Sequence, residues 1–140
     1  MKQLPEYQQA ILAAWERNYG RVVLQCDEYE VTFVTGLYGK HIKIEYFIGG
    51  EYLGEWCQPD NPIGSKFGQP KFSRYSKVHY NFVKKWGGKK EADAYRKKTN
   101  ETKLMNLLLW TNPRSLIRHL KKTCQNITIN NEQSTNYRRE

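Results

Sequence analysis

The sequence predicts an α+β protein with an N-terminal helix, a three- or four-stranded antiparallel β-meander and a basic, helical C-terminal half. Two patterns predict this class: short β-rich segments follow a first amphipathic stretch, and helical periodicity resumes in the second half. Charge also divides the chain, because residues 1–58 carry five basic and eight acidic side chains whereas residues 59–140 carry eighteen and six. A chain of 140 residues suits a single hydrophobic core.

The N-terminal helix is predicted by apolar residues at spacings of three and four, and Gly20 ends the pattern. These residues are Leu4, Tyr7, Ile11, Trp15 and Tyr19. Four β-rich segments follow, at 21–25, 29–35, 41–48 and 51–57, each separated from the next by turn residues. We expect neighbouring segments to pair as an antiparallel meander.

A turn at Gly49 and Gly50 fixes the pairing of the last two segments, because a two-residue hairpin places Ile48 opposite Glu51. Alternation then assigns one face to the core, with Ile42, Ile44, Tyr46, Ile48, Leu53 and Cys57. The other face carries the aromatic residues Phe47, Tyr52 and Trp56. This aromatic face has two interpretations: it stacks unpaired bases, or a helix covers it as a second part of the core.

The C-terminal half begins with a connection at 59–69 that lies inside the domain. Helices are predicted at 76–86, 89–98, 101–110 and 113–125. Residues 126–140 are polar and aperiodic, which predicts a disordered tail. We therefore expect one domain over residues 1–125.

Sixteen of the twenty-three Lys and Arg residues lie between Lys66 and Lys122, a segregation that favours binding of a polyanion. The candidate nucleic-acid-binding residues are Lys66, Lys71, Arg74, Tyr75, Lys77, Lys84, Lys85, Lys89, Lys90, Arg96, Lys97, Lys98, Arg114, Arg118, Lys121 and Lys122. Cations alternate with rings over residues 66–86, a pattern typical of single-strand binding. The candidate stacking residues are Phe47, Tyr52, Trp56, Phe67 and Phe72. Alternatively, Phe72, Val78, Phe82 and Trp86 form the buried stripe of a helix whose lysines face solvent.

The string from Asn112 to Leu120 resembles the recognition helices of helix-turn-helix proteins. Asn112 is a favourable N-cap and Pro113 occupies the first helical position. Leu116, Ile117 and Leu120 form an inward stripe that leaves basic residues outside. The resemblance implies a helix that enters the major groove of DNA.

A second stretch, residues 43–56 followed by 90–96, resembles the three-strand-plus-helix DNA-binding domains of some plant transcription factors and phage integrase arms. In those domains the sheet enters the major groove. Here about thirty residues separate the hairpin from the helix, where that family has only a few. We assign the chain to neither family.

Catalytic and metal-binding patterns are weak in this sequence. The three histidines and three cysteines form no short-spaced ligand pair. Glu45, Glu51 and Glu55 with Lys43 would suit a magnesium-dependent nuclease, but the hairpin pairing places Glu45 on the opposite face from the other two. We therefore expect no catalysis, no cofactor and no metal, with a nuclease as the first enzymatic alternative.

The chain begins without an apolar signal sequence, has an odd number of dispersed cysteines and contains no long apolar run, so we expect a cytoplasmic protein that does not bind membranes. The pattern predicts a non-catalytic nucleic-acid-binding accessory or regulatory protein, of the kind that phages or mobile elements encode. The alternative is a protein interaction module that inhibits or adapts a nucleic-acid-processing complex by occupying an acidic or nucleic-acid-binding surface. The sequence leaves open whether the partner is DNA, RNA or protein, and it does not indicate an oligomeric state.

Overall fold

A computed structural model of the chain describes residues 3–72, 76–98, 103–131 and 134, and it confirms the α+β class. The helices are α1 (Glu6–Arg17), α2 (Pro62–Phe67), α3 (Lys77–Lys98) and α4 (Pro113–Thr123). The strands are β1 (Gly20–Cys26), β2 (Tyr29–Tyr38), β3 (His41–Ile48), β4 (Gln69–Phe72), β5 (Lys103–Leu107), β6 (Leu109–Trp110) and β7 (Ile127–Ile129). The predicted N-terminal helix and the first three strands of the meander are present.

The main sheet has five antiparallel strands in the order β6-β3-β2-β1-β7. The alternation predicted for residues 42–48 is present in β3, whereas Leu53, predicted on the same face, is 37% exposed. The inner face of the sheet carries the core residues of the meander. These buried residues are Val22, Leu24, Cys26, Val31, Phe33, Ile44 and Tyr46. The helices α1 and α4 cover this face, and they also contact each other. The core therefore lies between one sheet face and two helices.

The hairpin turn after β3 forms as predicted. Gly49 and Gly50 both have positive φ angles, 57° and 84°, which suits the two central positions of a type I′ turn. Ile48 and Glu51 bridge across it. The fourth predicted strand is wrong beyond Glu51, because residues Gly54–Cys57 form a single 3₁₀ turn. That turn directs the Trp56 indole into the core rather than onto the outer sheet face.

The helix predicted over residues 101–110 is wrong for its described part, which forms β5 and β6. β5 pairs with β4, and β6 extends the main sheet beside β3. The apolar run at 107–110 follows neither the helical nor the strand period, so its pattern does not distinguish a buried helix from a buried strand. Pairing with β4 and β3 determines its structure. No helix therefore precedes α4 within residues 103–112, and the helix-turn-helix interpretation is wrong. The connection predicted at 59–69 likewise contains α2 and the first residue of β4.

The predicted disordered tail is wrong for its first residues, because β7 pairs with β1 at the edge of the sheet. The Asp27 carboxylate holds the preceding turn by accepting hydrogen bonds from the backbone N–H groups of Gln125 and Asn126, at 3.1 and 2.8 Å. The Asn130 N–H donates to the Val23 carbonyl at 2.8 Å. The fold thus extends past residue 125, and residues 132–133 and 135–140 lie outside the described part.

The long helix α3 is inserted between β4 and β5, two strands that pair directly with each other. Within the described residues, the core cluster contains no residue of α3, and Ala92 is the only buried residue of this helix. Gly88, with φ 88° and ψ 169°, interrupts the helix. This break separates the two helices predicted at 76–86 and 89–98.

Candidate nucleic-acid interface

The helix α3, called the arm from here on, folds back on itself as a helical hairpin. The Tyr80 hydroxyl donates to the Asp93 carboxylate at 2.8 Å, and the Tyr95 hydroxyl accepts from the Ser76 N–H at 3.0 Å. The rings of His79 and Tyr95 meet edge to face, with centroids 4.6 Å apart. These contacts join residues 76–80 to residues 93–95, so the arm is two short antiparallel helices joined at the glycine pair.

The arm brings together half of the predicted nucleic-acid-binding residues. It carries eight basic and two acidic side chains in 22 residues. All eight basic side chains are exposed: Lys77, Lys84, Lys85, Lys89, Lys90, Arg96, Lys97 and Lys98. Such a density of cations on a projecting element produces a strong local positive potential.

Large apolar side chains also lie on the outside of the arm. Val78, Phe82 and Trp86, spaced four residues apart, are 81%, 59% and 72% exposed. Their spacing is that of a helical stripe, which in a globular protein normally faces the core. Here the stripe has no core to cover among the described residues, and the Lys85 ammonium lies 5.5 Å from the centre of the Trp86 ring. The interpretation of these residues as a buried stripe is therefore wrong.

The helix α4 provides a second basic surface, because its exposed face carries Arg114, Arg118, Lys121 and Lys122. The last three of these line an open groove of about 620 Å³ between β4 and α4. The other face of the helix is buried through Leu116, Ile117 and Leu120. The Asn112 side chain caps its first turn by accepting from the N–H groups of residues 114 and 115, at 2.9 and 3.1 Å.

His119 lies at the base of this groove and is half-buried. Its Nε2 is 3.0 Å from the Ser65 carbonyl oxygen, and its ring centre is 5.2 Å from that of Trp110. Burial lowers the pKa of the imidazole. A neutral ring that donates its Nε2–H to the carbonyl fits this position, so His119 contributes packing rather than charge to the groove.

Lys66 requires a correction, because the fold uses its charge internally. Its ammonium group lies 2.7 Å from the Asp27 carboxylate and 3.2 Å from the Thr123 carbonyl oxygen. The hydrogen bond to Asp27 raises the pKa of Lys66, and the same bond lowers the pKa of Asp27. Lys66 therefore joins α2 to the end of α4 instead of facing a phosphate. Lys71, by contrast, is exposed on β4.

Two of the predicted stacking residues, Trp56 and Phe67, also require a correction because they are buried. Trp56 is 2% exposed and stacks on Tyr46, with ring centres 5.4 Å apart and planes at 14°. Phe67 is fully buried, and its carbonyl oxygen accepts a hydrogen bond from the Trp110 indole at 2.7 Å. These rings form the centre of the core and are closed to a base.

The other three predicted stacking residues remain at the surface. Phe47 and Tyr52 lie together on the outer sheet face, with ring centres 5.2 Å apart, and Tyr52 is 40% exposed. Phe72, at the end of β4, is 42% exposed. The predicted residues Arg74 and Tyr75 lie outside the described residues. The aromatic face of the sheet is thus smaller than predicted, and larger exposed rings lie on the arm.

The second resemblance places residues 90–96 in a helix on a three-stranded sheet. In the structure these residues belong to the second half of the arm, where Asp93 and Tyr95 contact the first half. The resemblance to sheet-type DNA-binding domains is therefore wrong in its placement of the helix.

The part of the chain that the structure describes contains no group of three or more His, Cys, Asp or Glu side chains arranged to hold a metal ion. Glu45 accepts a hydrogen bond from the Tyr38 hydroxyl on the outer sheet face. The buried thiols of Cys26 and Cys124 are hydrogen-bonded to each other, which raises the pKa of Cys26 and lowers that of Cys124 to about 7. None of the helices within the described ranges combines the length and apolar character needed to cross a bilayer.

Comparison with known proteins gives no relative: no protein-family model, no curated protein and no solved structure matches this chain.

Proposed function

We propose that this protein is a non-catalytic nucleic-acid-binding accessory or regulatory factor, of the kind that phages and other mobile elements encode. The observation that carries the proposal is the arm, which adds nothing to the described core and carries a net charge of +6, from eight basic and two acidic residues. The like charges of these exposed side chains add to a positive potential that attracts an anionic partner.

Nucleic acid fits this surface because its phosphates form a continuous line of negative charge. Each lysine that neutralises a phosphate releases condensed counterions, which is favourable at low salt. The exposed basic face of α4 supplies further cations on the body of the protein, around Arg118 and Lys122. The arm and α4 each present cations that can contact the phosphate backbone.

Fluorescence anisotropy with labelled single-stranded and duplex oligonucleotides, at salt concentrations from about 50 to 200 mM, tests the proposal. Lys84→Ala combined with Lys85→Ala removes two exposed cations of the arm. We expect weaker binding and a shallower dependence of log affinity on log salt. The slope should fall by roughly 0.7–0.9 for each phosphate that the variant no longer neutralises.

The matched control is Lys40→Ala combined with Lys43→Ala, which removes the same charge from the hairpin between β2 and β3. We expect this control to retain nearly all of the affinity. If it lost as much affinity as the arm variant, the effect would reflect total charge, and the arm would not be the binding element. Failure of the wild-type protein to bind any oligonucleotide at low salt would refute the proposal.

A second candidate function is an interaction module that inhibits or adapts a nucleic-acid-processing complex. The exposed apolar stripe of Val78, Phe82 and Trp86 favours it, since such patches commonly mark protein interfaces. A pull-down from nuclease-treated lysate, compared with the Phe82→Ser variant, separates the two functions. A protein retained by the wild type and lost by the variant would support this candidate.

For the cellular compartment we propose a reducing cytoplasm. Cys26, Cys57 and Cys124 are all free thiols, which supports this compartment. Export of a tagged full-length chain to the periplasm or medium would contradict it.

A further inference from the structure

The arm carries a row of three aromatic rings on its surface, formed by His79, Phe82 and Trp86 and called the ring row below. Consecutive ring centres are 6.4 Å apart in both steps. The spacings of three and four residues keep the rings on one side of the first helix of the arm. All three side chains are exposed.

We propose that the ring row binds unpaired nucleotides, so that the arm selects single-stranded over duplex nucleic acid. This inference rests on the proposed function and specifies its ligand. Bases stack on the rings while the neighbouring lysines contact the phosphates that link them.

The ring spacing supports an unpaired strand. Bases in a stacked strand rise by about 3.4 Å per nucleotide. Neighbouring rings of the row are 6.4 Å apart, nearly twice that rise. The planes of Phe82 and Trp86 also differ by 52°, so two bases of a regular stack cannot both lie flat on these rings and must separate from each other to do so. A single strand separates its bases at low cost, whereas a duplex must unstack and unpair to do so.

The charges beside the ring row favour nucleic acid over an apolar partner or a second copy of this chain. The Lys85 ammonium lies over one face of the Trp86 ring, 5.5 Å from its centre, so a base stacked on the opposite face lies near a cation. Lys84, Lys89 and Lys90 are exposed around the same end of the arm. Two copies of the arm would bring like charges together within a Debye length of about 8 Å, which is unfavourable.

The test compares an oligothymidine of about 15 nucleotides with a duplex of the same length, using fluorescence anisotropy. We expect the wild-type protein to bind the single strand at least about 5-fold more tightly than the duplex, the effect of one stacked base. Trp86→Ala should weaken single-strand binding by about 5- to 150-fold and leave duplex binding nearly unchanged. Trp86→Phe keeps a ring and should retain most of the affinity.

The matched control is Tyr19→Ala, which removes a ring that is 58% exposed between α1 and β1, far along the chain from the arm. We expect no change in single-strand affinity for this variant. A far-ultraviolet circular dichroism spectrum of Trp86→Ala checks that the arm keeps its helices. If that spectrum shows a loss of helix, the comparison of Trp86→Phe with Trp86→Leu, which keeps apolar bulk without a ring, decides instead.

The failures of the two proposals can be distinguished. Equal or tighter binding of the duplex, or unchanged single-strand affinity in the ring-deleted variants, would overturn the stacking inference and leave nucleic-acid binding in place. Absence of binding to either oligonucleotide would overturn the proposed function itself. Binding of polyglutamate as tightly as oligothymidine would show that the arm responds to negative charge alone, and would also overturn the stacking inference.

Discussion

Replacing Trp56 by alanine should destabilise the protein severely, although the sequence pattern alone places this residue on a binding face. The side chain is 2% exposed, and its ring is stacked on Tyr46 at 5.4 Å. Truncation of a buried tryptophan costs about 3–5 kcal/mol, which includes the stacking energy and the cavity that remains. Domains of this size are typically stable by about 5–15 kcal/mol, so the loss is a large fraction of the total.

The assay is urea denaturation followed by circular dichroism. With a denaturant dependence of about 2 kcal/mol per M, a loss of about 4 kcal/mol lowers the unfolding midpoint by about 2 M. The matched variant is Trp86→Ala, which removes the same side chain from a position that is 72% exposed. It should change the free energy of unfolding by less than about 0.5 kcal/mol. A loss below about 1 kcal/mol for Trp56→Ala, or equal losses for the two variants, would refute the division between core and arm.

Three further predictions concern the body of the protein, and urea midpoints measure each of them. The hydrogen bond from Lys66 lowers the pKa of Asp27 below its usual 3.8. The stabilisation from this bond is therefore present above pH 3.8 and lost as the pH falls below it, and Asp27→Asn should lose less stability in acid than the wild type. Burial lowers the pKa of His119 below its usual 6.5, so the free energy of unfolding should fall as the pH drops below about 6.5. His119→Gln should flatten that decline. A variant with the same pH profile as the wild type would contradict this role of His119. Gly64→Ala places a methyl group against the Trp56 carbonyl and should lower the free energy of unfolding by about 1–3 kcal/mol. Gly54→Ala faces open space and should lower it by less than about 0.5 kcal/mol. Equal losses for the two variants would contradict this packing.

The elements with strong local signals could be predicted from the sequence. Helix α1 follows a clear apolar period, α4 begins at the Asn112 cap, and the turn after β3 is fixed by two glycines. The short strands β6 and β7 have no such signal, because only two or three residues of each pair with the sheet. Their structure depends on partners distant in sequence, which a local pattern does not contain.

The candidate interface could be predicted only in part. The surface position of the arm's cations could be predicted from composition, since Lys and Arg side chains are rarely buried. The exposure of the rings could not be predicted, because Trp56 and Trp86 have similar neighbours in sequence. Each has an aromatic or apolar residue a few positions away and a glycine close by. Burial separates them, because the 3₁₀ turn at Gly54–Cys57 directs Trp56 into the core, whereas Trp86 lies on the arm inserted between β4 and β5, outside the core. The glycine pair at 87–88, which cuts a basic helix into two short halves, is the sequence signal for a projecting hairpin.

The same insertion offers a direct way to remove the interface. Because β4 and β5 are antiparallel neighbours, residues 73–102 connect the two strands of one hairpin. Replacing residues 73–102 by a short Asn-Gly turn gives a shortened protein without the arm, because such turns join antiparallel strands. The described core contains no residue of the arm, so the shortened protein should keep its fold.

We propose that the arm provides most of the affinity for nucleic acid, and the affinity of this shortened protein for a single-stranded oligonucleotide at low salt tests this directly. Thermal unfolding of the same sample confirms that the body is folded. We predict a cooperative unfolding transition together with loss of single-strand binding, leaving only weak, salt-sensitive attraction to the basic face of α4. A folded, shortened protein that binds the oligonucleotide as tightly as the full chain would show that the arm is not the binding element.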